Sequence, residues 1–228
     1  MGDREATRDI LVRTVVHSGF HVRYAVHPCV YEPEEDTFLL ADSLVKACKN
    51  GLKPSSVIEF GVGSGYISSL VLSLWNPALF VGTDINWYAV EGTRLSLSTY
   101  RGSTERSSIV LCNRDTCIRE HATFDLAVSN PPYLLVNDEF AGECDKLLAR
   151  SWSGGDKCLI EFCASLCRRG RVIFMVLSSL SPLDEVFECM KQFDCQANIV
   201  ERRKLFFEEI LVVMGEHVLD YKNSSRGN

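Results

Sequence analysis

From Ser56 to Phe193, short apolar runs alternate with longer amphipathic ones, and no other feature narrows the possible folds as far. Residues 56–60, 78–84, 107–112, 124–129 and 171–177 are rich in Val, Ile, Leu and Phe and are bounded by Gly, Asp or Asn, as buried strands are. The segments 65–75, 87–100, 156–167 and 182–193 carry helical periodicity. Parallel strands need long crossover connections, so this order predicts a mostly parallel sheet with helices on both faces. Two further runs, 196–201 and 207–214, have no helix between them and predict an antiparallel hairpin at one end. The expectation is an α/β fold with a seven-stranded sheet.

The N-terminal part is less regular. Residues 7–17 are expected to form a short helix that Gly19 ends, and 21–26 a small strand or ordered arm. Glu34, Glu35 and Asp36 precede the apolar run beginning at Phe38 and predict a helix N-terminus, where the dipole favours acids. Asn50-Gly51 closes that helix. Residues 1–228 are expected to be a single domain, with 1–30 as an arm and 221–228 as a disordered tail.

Composition excludes some functions. With 46% hydrophobic residues the chain can bury a substantial core, yet no run is long enough for a membrane span. The start, Met1-Gly2-Asp3-Arg4-Glu5, carries no apolar leader, so a cytoplasmic location is expected, compatible with a nuclear pool. The ten cysteines include no Cys-x-x-Cys pair and read as reduced core thiols. No metal site is expected, because His17 and His21 are separated by Gly19. The net charge of −6 argues against direct nucleic-acid binding and favours a protein or small-molecule substrate. The basic clusters Arg168-Arg169-Gly170-Arg171 and Arg202-Arg203-Lys204 fall at element boundaries and read as solvated turns.

Three signals fall at the carboxyl ends of successive strands. Glu59-Phe60-Gly61-Val62-Gly63-Ser64-Gly65 leaves a strand and enters a helix, so a ligand can lie against the backbone. Its Gly-x-Gly-x-Gly spacing departs from the dinucleotide pattern, and Glu59 suits an amine or sulfonium better than a pyrophosphate. Asp84 ends the next strand, where an acid can accept ribose hydroxyls; it can equally cap the following helix. Asp115 after the third strand could take an adenine amino group, helped by the N–H of Thr116.

The fourth strand ends in Ser129-Asn130-Pro131-Pro132-Tyr133. Two prolines fix two φ angles, remove two donors and drive the preceding residue out of the helical region. The exit is therefore stiff and presents bare carbonyls, an amide and an aromatic ring. Asn130 Oδ1 and the Pro131 carbonyl could grip the two N–H bonds of a planar amino group, with Tyr133 stacked on it.

The Gly-rich turn, Asp84 and Asp115 together resemble class I S-adenosylmethionine-dependent methyltransferases, which have a Rossmann-like fold. Asn-Pro-Pro-Tyr is similar to the motif of enzymes that methylate adenine N6 or glutamine amides. The stretch from Tyr31 to Leu40, Thr83-Asp84-Ile85-Asn86 and Ala149-Arg150-Ser151-Trp152-Ser153-Gly154-Gly155 resemble the eukaryotic and archaeal HemK-type glutamine methyltransferases over residues 29–215. That resemblance implies S-adenosyl-L-methionine as cofactor. It implies as substrate the glutamine of the Gly-Gly-Gln loop in a class-1 translation termination factor; a histone lysine activity is also attributed to the family. It places Asp36 and Thr37 beside the cofactor's amino-acid end, and Trp152 and Gly155 beside the substrate with Pro132 and Tyr133. Bacterial relatives carry a helical substrate-binding domain first, for which too little chain precedes Gly61 here.

The resemblance further implies a small zinc-binding activator subunit that forms a heterodimer with the catalytic chain. The apolar strand at 107–112 is expected at the sheet edge, where an uncovered strand invites pairing. Ile109→Lys is accordingly expected to weaken that complex while sparing the fold. The alternatives are adenine N6 methylation and a catalytically idle nucleotide-binding scaffold for its partner.

Overall fold

The computed structural model describes residues 10–100, 103–133, 144, 146–148 and 154–218. Nine strands and six helices are followed here: β1 (Leu11–His17), β2 (Phe20–Val26), α1 (Glu35–Lys49), β3 (Ser56–Phe60), α2 (Tyr66–Trp75), β4 (Leu79–Asp84), α3 (Trp87–Leu97), α4 (Ser103–Arg106), β5 (Ser107–Leu111), β6 (Phe124–Ser129), α5 (Gly155–Arg169), β7 (Gly170–Ser178), α6 (Leu183–Gln192), β8 (Cys195–Lys204) and β9 (Glu209–His217).

The main sheet has seven strands in the order β5-β4-β3-β6-β7-β9-β8. β5 through β7 run parallel, and β9 pairs antiparallel with both β7 and β8. This is the Rossmann-like sheet with a C-terminal antiparallel hairpin that the alternation predicts. Both faces are covered, so successive residues on one strand enter different cores. Val57, Leu126, Phe174 and Val212 pack with residues of α1 and α2, while Ile58, Ala127, Ile173 and Val213 pack with residues of α5 and α6. Among the described residues no helix is long and apolar enough to cross a membrane.

The chain builds outward from β3 through β4 to β5, then returns to lay β6 on the other side of β3. The direction of winding reverses between β3 and β6, and open α/β sheets bind ligands outside the carboxyl ends at such a point. Phe60 and Ser129 are partners in register there, and the Ser129 hydroxyl donates to the Phe60 carbonyl at 2.8 Å. The Gly-rich turn and the double-proline exit therefore leave the sheet side by side.

Four expectations are corrected. Residues 11–17 form β1, not a helix, and pair with β2 through a turn at Ser18 and Gly19, both at positive φ (50° and 91°). Positive φ at both central residues makes the tight turn whose twist suits a hairpin, and Val12, Thr14, Val15 and Val16 favour strand. The hairpin lies on α2: the Arg23 N–H donates to Ser69 Oγ at 2.7 Å and the Ala25 N–H to the Ser64 carbonyl at 2.7 Å.

The cysteines are not all free thiols. Cys29 is joined to Cys144, and Cys112 to Cys117, in disulfides that no spacing in the sequence announced. Cys163, Cys167, Cys189 and Cys195 are buried and free.

The basic cluster at Arg168 and Arg169 is not a solvated turn, since Arg169 is buried. Lastly, β5 does lie at the sheet edge, but Ile109 points inward and is only 5% exposed. Ile109→Lys would thus damage the core itself; Leu111, 51% exposed, is the outward side chain.

Candidate active site

A cavity of about 490 Å³ opens over the carboxyl ends of β3, β4 and β6. Ten of the sequence-predicted positions line it: Asp36, Thr37, Glu59, Gly61, Gly63, Asp84, Asn130, Pro131, Pro132 and Tyr133.

Its floor is the turn from β3 to α2. Gly61, Gly63 and Gly65 adopt φ of 77°, 51° and 80°, a region that residues with a Cβ resist. Gly65 stands behind the cavity wall, where an added Cβ would meet Thr93 Oγ1 at 2.9 Å. Asp84 takes the Gly63 N–H at 2.9 Å and the Asn86 N–H at 2.8 Å, so one carboxylate pins the Gly-rich turn to the start of α3. Burial pushes its carboxyl above the ordinary range, while those backbone donors oppose the shift.

Glu59 is buried at the head of the turn and accepts from Ser68 Oγ at 2.5 Å. Burial pushes its carboxyl up to about 8; the Ser68 bond works against this, and the charge of Asp84 adds to it. A carboxyl raised on folding stabilises fully only below its unfolded value, and that contribution is lost as pH rises through about 8. Glu59→Gln should therefore raise the melting temperature relative to the parent at pH 8.5 and change it little at pH 5. Thermal melts at the two pH values measure this; an equal change at both would show that ionisation of Glu59 is not involved.

Over the floor sits a cluster centred on Asp36, in the first turn of α1 and buried. Its two oxygens accept from the Thr37 N–H at 2.5 Å, the Tyr31 hydroxyl at 3.3 Å, the Tyr133 hydroxyl at 3.1 Å and Asn130 Nδ2 at 3.0 Å. Burial first, then the charge of Asp36, holds both phenols far above their ordinary range, so they remain protonated donors. A carboxylate only accepts, so the Asn130 amide must turn its NH2 toward Asp36. Asn130 Oδ1 then faces the other way; it is buried and has no hydrogen-bond partner among the described residues. Thr83 Oγ1, on the cavity floor, is the other buried acceptor without one. A buried, unpaired carbonyl is costly, and a site that keeps one has a use for it.

The third acid is elsewhere. Asp115 accepts from Ser165 Oγ at 2.8 Å, Arg169 Nε at 3.0 Å and Arg168 Nε at 3.2 Å, and does not line the cavity. Burial alone would raise its carboxyl, but the bonds from Arg168, Ser165 and Arg169 outweigh that and hold it low. Arg169 also donates to the carbonyls of Arg119, Glu120 and Ala122, so Asp115 clamps the loop after β5 onto α5. The Thr116 N–H is spent on the Asn113 carbonyl at 3.2 Å. Asn113 and Arg114 face the cavity in their place. The sequence points to the right loop, but the acid of that loop is already engaged by Arg168 and Arg169 at the end of α5.

On the substrate side, Trp152 lies outside the described residues. Gly155 begins α5 with φ of 65°, and the wall residue is its neighbour Gly154. A Cβ on Gly154 would stand 2.6 Å from the Pro132 carbonyl, so this glycine lets α5 approach the double-proline exit. Sequence reading also passed over Asn86, which caps α3 and ties the Cys29 carbonyl at 2.6 Å beside the cavity.

A Gly-rich turn on the first parallel strand, a half-buried acid ending the second and a rigid amide-bearing exit on the fourth make this an enzyme of the methyl-transferring kind. Residues 30–151 match the family described as Methyltransferase small domain, and the chain belongs to that family. It is 30% identical to a putative protein N5-glutamine methyltransferase of Methanocaldococcus jannaschii, over 84% of this chain and 94% of that one. Identity to the mouse methyltransferase HEMK2 is 31%, over 75% of this chain and 82% of its length. Among solved structures, that of the E. cuniculi Mtq2–Trm112 complex, responsible for methylating the translation termination factor eRF1, superposes with a TM-score of 0.64. At 22% identity it covers 83% of this chain and 99% of the chain matched, and shares the fold.

Proposed function

We propose that this protein transfers a methyl group from S-adenosylmethionine to the side-chain nitrogen of the glutamine in the Gly-Gly-Gln loop of a class-1 translation termination factor. The observation that carries the reading is Asn130 Oδ1, a buried acceptor without a partner among the described residues, turned away from Asp36.

The residues present suit the cofactor. The turn at Gly61 and Gly63 admits close approach of a ligand, Asp84 can accept ribose hydroxyls, and Glu59, once ionised, can balance the amino-acid end. Asn113 and Arg114 replace Asp115 at the base end. When bound, S-adenosylmethionine supplies a methyl group on a positively charged sulfur.

The chain's own contribution is alignment. An amide nitrogen is a weak nucleophile because its lone pair is delocalised into the carbonyl. Asn130 Oδ1 and the Pro131 carbonyl accept its two N–H bonds, orient the lone pair toward the methyl carbon and favour pyramidal nitrogen. Pro131 and Pro132 stiffen that carbonyl, and Tyr133, tethered to Asp36, can cover the amide face. With the cofactor in place, the alignment held by Asn130 and Pro131 would let this nitrogen take the methyl group, the rest of the cofactor serving as the leaving group. The extra proton leaves the nitrogen for water, so no general base is required. Orientation of this kind can contribute roughly 7–11 kcal/mol in favourable cases.

The test is a labelled-methyl assay on a termination factor, with its Gly-Gly-Gln glutamine replaced as the control. Label must appear in the first and vanish in the second; label persisting in the control would sink the assignment.

The same reading includes a small, zinc-binding activator subunit seated along β5, because Leu111 lies outward on an edge strand that pairs with no further strand among the described residues. Part of that edge is already occupied, since Arg94 donates twice to the Ile109 carbonyl, at 2.6 and 3.2 Å. Leu111→Asp should reduce co-purification with the activator about tenfold and leave the melting temperature of the isolated chain unchanged. Undiminished co-purification would place the partner elsewhere.

A further inference from the structure

The turn between β8 and β9 is Leu205-Phe206-Phe207-Glu208. Hairpin turns are normally built from Gly, Asn or Asp. Here Phe207 is 95% exposed and Phe206 completely so, and Leu180 of the adjoining β7–α6 loop is 72% exposed. Two phenylalanine side chains present roughly 300–500 Å² of mostly apolar surface, as much as the largest patch on a typical monomer. Such a patch marks a contact surface.

The tip is held rigidly. The Leu205 N–H donates to the Glu208 carbonyl at 2.8 Å, the Ser179 N–H to the Glu209 carbonyl at 2.8 Å, and the Glu209 N–H to Ser179 Oγ at 3.0 Å. The Ser178 hydroxyl also donates to the Glu208 carboxylate. A partner thus meets rings on a fixed support and loses less entropy in docking.

The tip also stands beside the acceptor site. Ile210 pairs with Ser178, three residues further along β7 than Met175, the partner of Ser129. The hairpin therefore reaches about 10 Å beyond the point where the double-proline exit leaves the sheet. Glu208 lies close enough to Tyr133 for its charge to act on the phenol.

We infer that Phe206 and Phe207 are the docking element for the body of the acceptor protein, inserting into an apolar depression on its surface while Asn130 and Pro131 hold the amide. This rests on the function proposed above. The cavity grips only a side chain, so a protein presenting it must lie across this rim. A lipid surface is disfavoured by charge: Arg202 is paired with Glu209, and Arg203 with Glu35 and Asp42, which leaves Lys204 as the unpaired cation of this run among the described residues, and one cation adds little to lipid binding.

The experiment compares the full chain, with its activator subunit, and its Phe206→Ser/Phe207→Ser variant on an intact termination factor. Cofactor affinity is measured alongside by calorimetry. The expected result is a KM for the protein substrate raised about tenfold or more, with kcat and cofactor affinity unchanged. An unchanged KM overturns the proposal, as does a fall in kcat alone, which would assign the tip to the chemistry. Loss of binding to phosphatidylserine vesicles with KM intact overturns it in favour of a lipid surface. If the parent enzyme methylates the factor at no glutamine, the functional reading falls and takes this proposal with it.

Discussion

Asn130→Ala should lower single-turnover methyl transfer by about a thousandfold and leave cofactor affinity unchanged. Removing one fixed hydrogen-bonding group from a preorganised site typically costs about 10²–10³ in rate, roughly 2.7–4 kcal/mol. Here the loss is expected at the upper end, because Asn130 Oδ1 is buried and has no hydrogen-bond partner among the described residues. Alanine leaves one N–H of the substrate without an acceptor and the nitrogen free to turn out of line. In the proposed reading the cofactor's contacts come from the Gly-rich turn and Asp84, whose backbone donors are Gly63 and Asn86 and not Asn130. Asn130→Asp should not rescue, because a second carboxylate would face Asp36, whose Oδ2 is 3.0 Å from the Asn130 nitrogen. Single-turnover kinetics and calorimetric titration of the cofactor separate the two effects. A parallel loss of both would make Asn130 a cofactor or structural residue.

Asp36→Asn should lower kcat by about 10²-fold without weakening cofactor binding. Asp36 reaches the chemistry through Asn130. As a carboxylate it accepts four side-chain or backbone donors near 3 Å and thereby dictates which way the Asn130 amide points. An amide at that position presents an NH2 of its own, and Asn130 can satisfy it only by flipping, which withdraws Oδ1 from the substrate. Tyr31 and Tyr133 would at the same time compete for a single remaining oxygen. Lost and unsatisfied buried hydrogen bonds should also cost about 1–3 kcal/mol of stability, read as a lower melting temperature. If cofactor affinity fell instead of kcat, Asp36 would belong to the cofactor's amino-acid end, the place the family resemblance implies.

The two outcomes separate residues that share one wall. In the proposed reading Asn130 touches the substrate amide, and Asp36, its hydrogen-bond partner, positions it. Sequence reading put both in the site but could not see that one orients the other, because 94 residues separate them. The same distance in sequence explains the miss at Asp115. An acid after the third strand is visible locally; that Arg168 and Arg169 have already taken it is decided by where α5 packs. At Ile109 the strand itself was legible, but which of Ile109, Val110 and Leu111 turns inward depends on register with β4.

What the sequence by itself determined is whatever local physics governs. Periodicity set the strand–helix alternation, and with it the mostly parallel sheet; the strand order, with its reversal between β3 and β6, came from packing. Glycines placed the turn that needs positive φ, and two prolines made the exit after Ser129 stiff wherever it lay. Tertiary structure alone decided the orientation of Asn130, the capture of Asp115, the β1–β2 hairpin laid over α2, the disulfides and the exposure of Phe206 and Phe207. These depend on partners distant along the chain, and hydrogen-bond direction and burial are properties of the assembled neighbourhood that no residue carries alone.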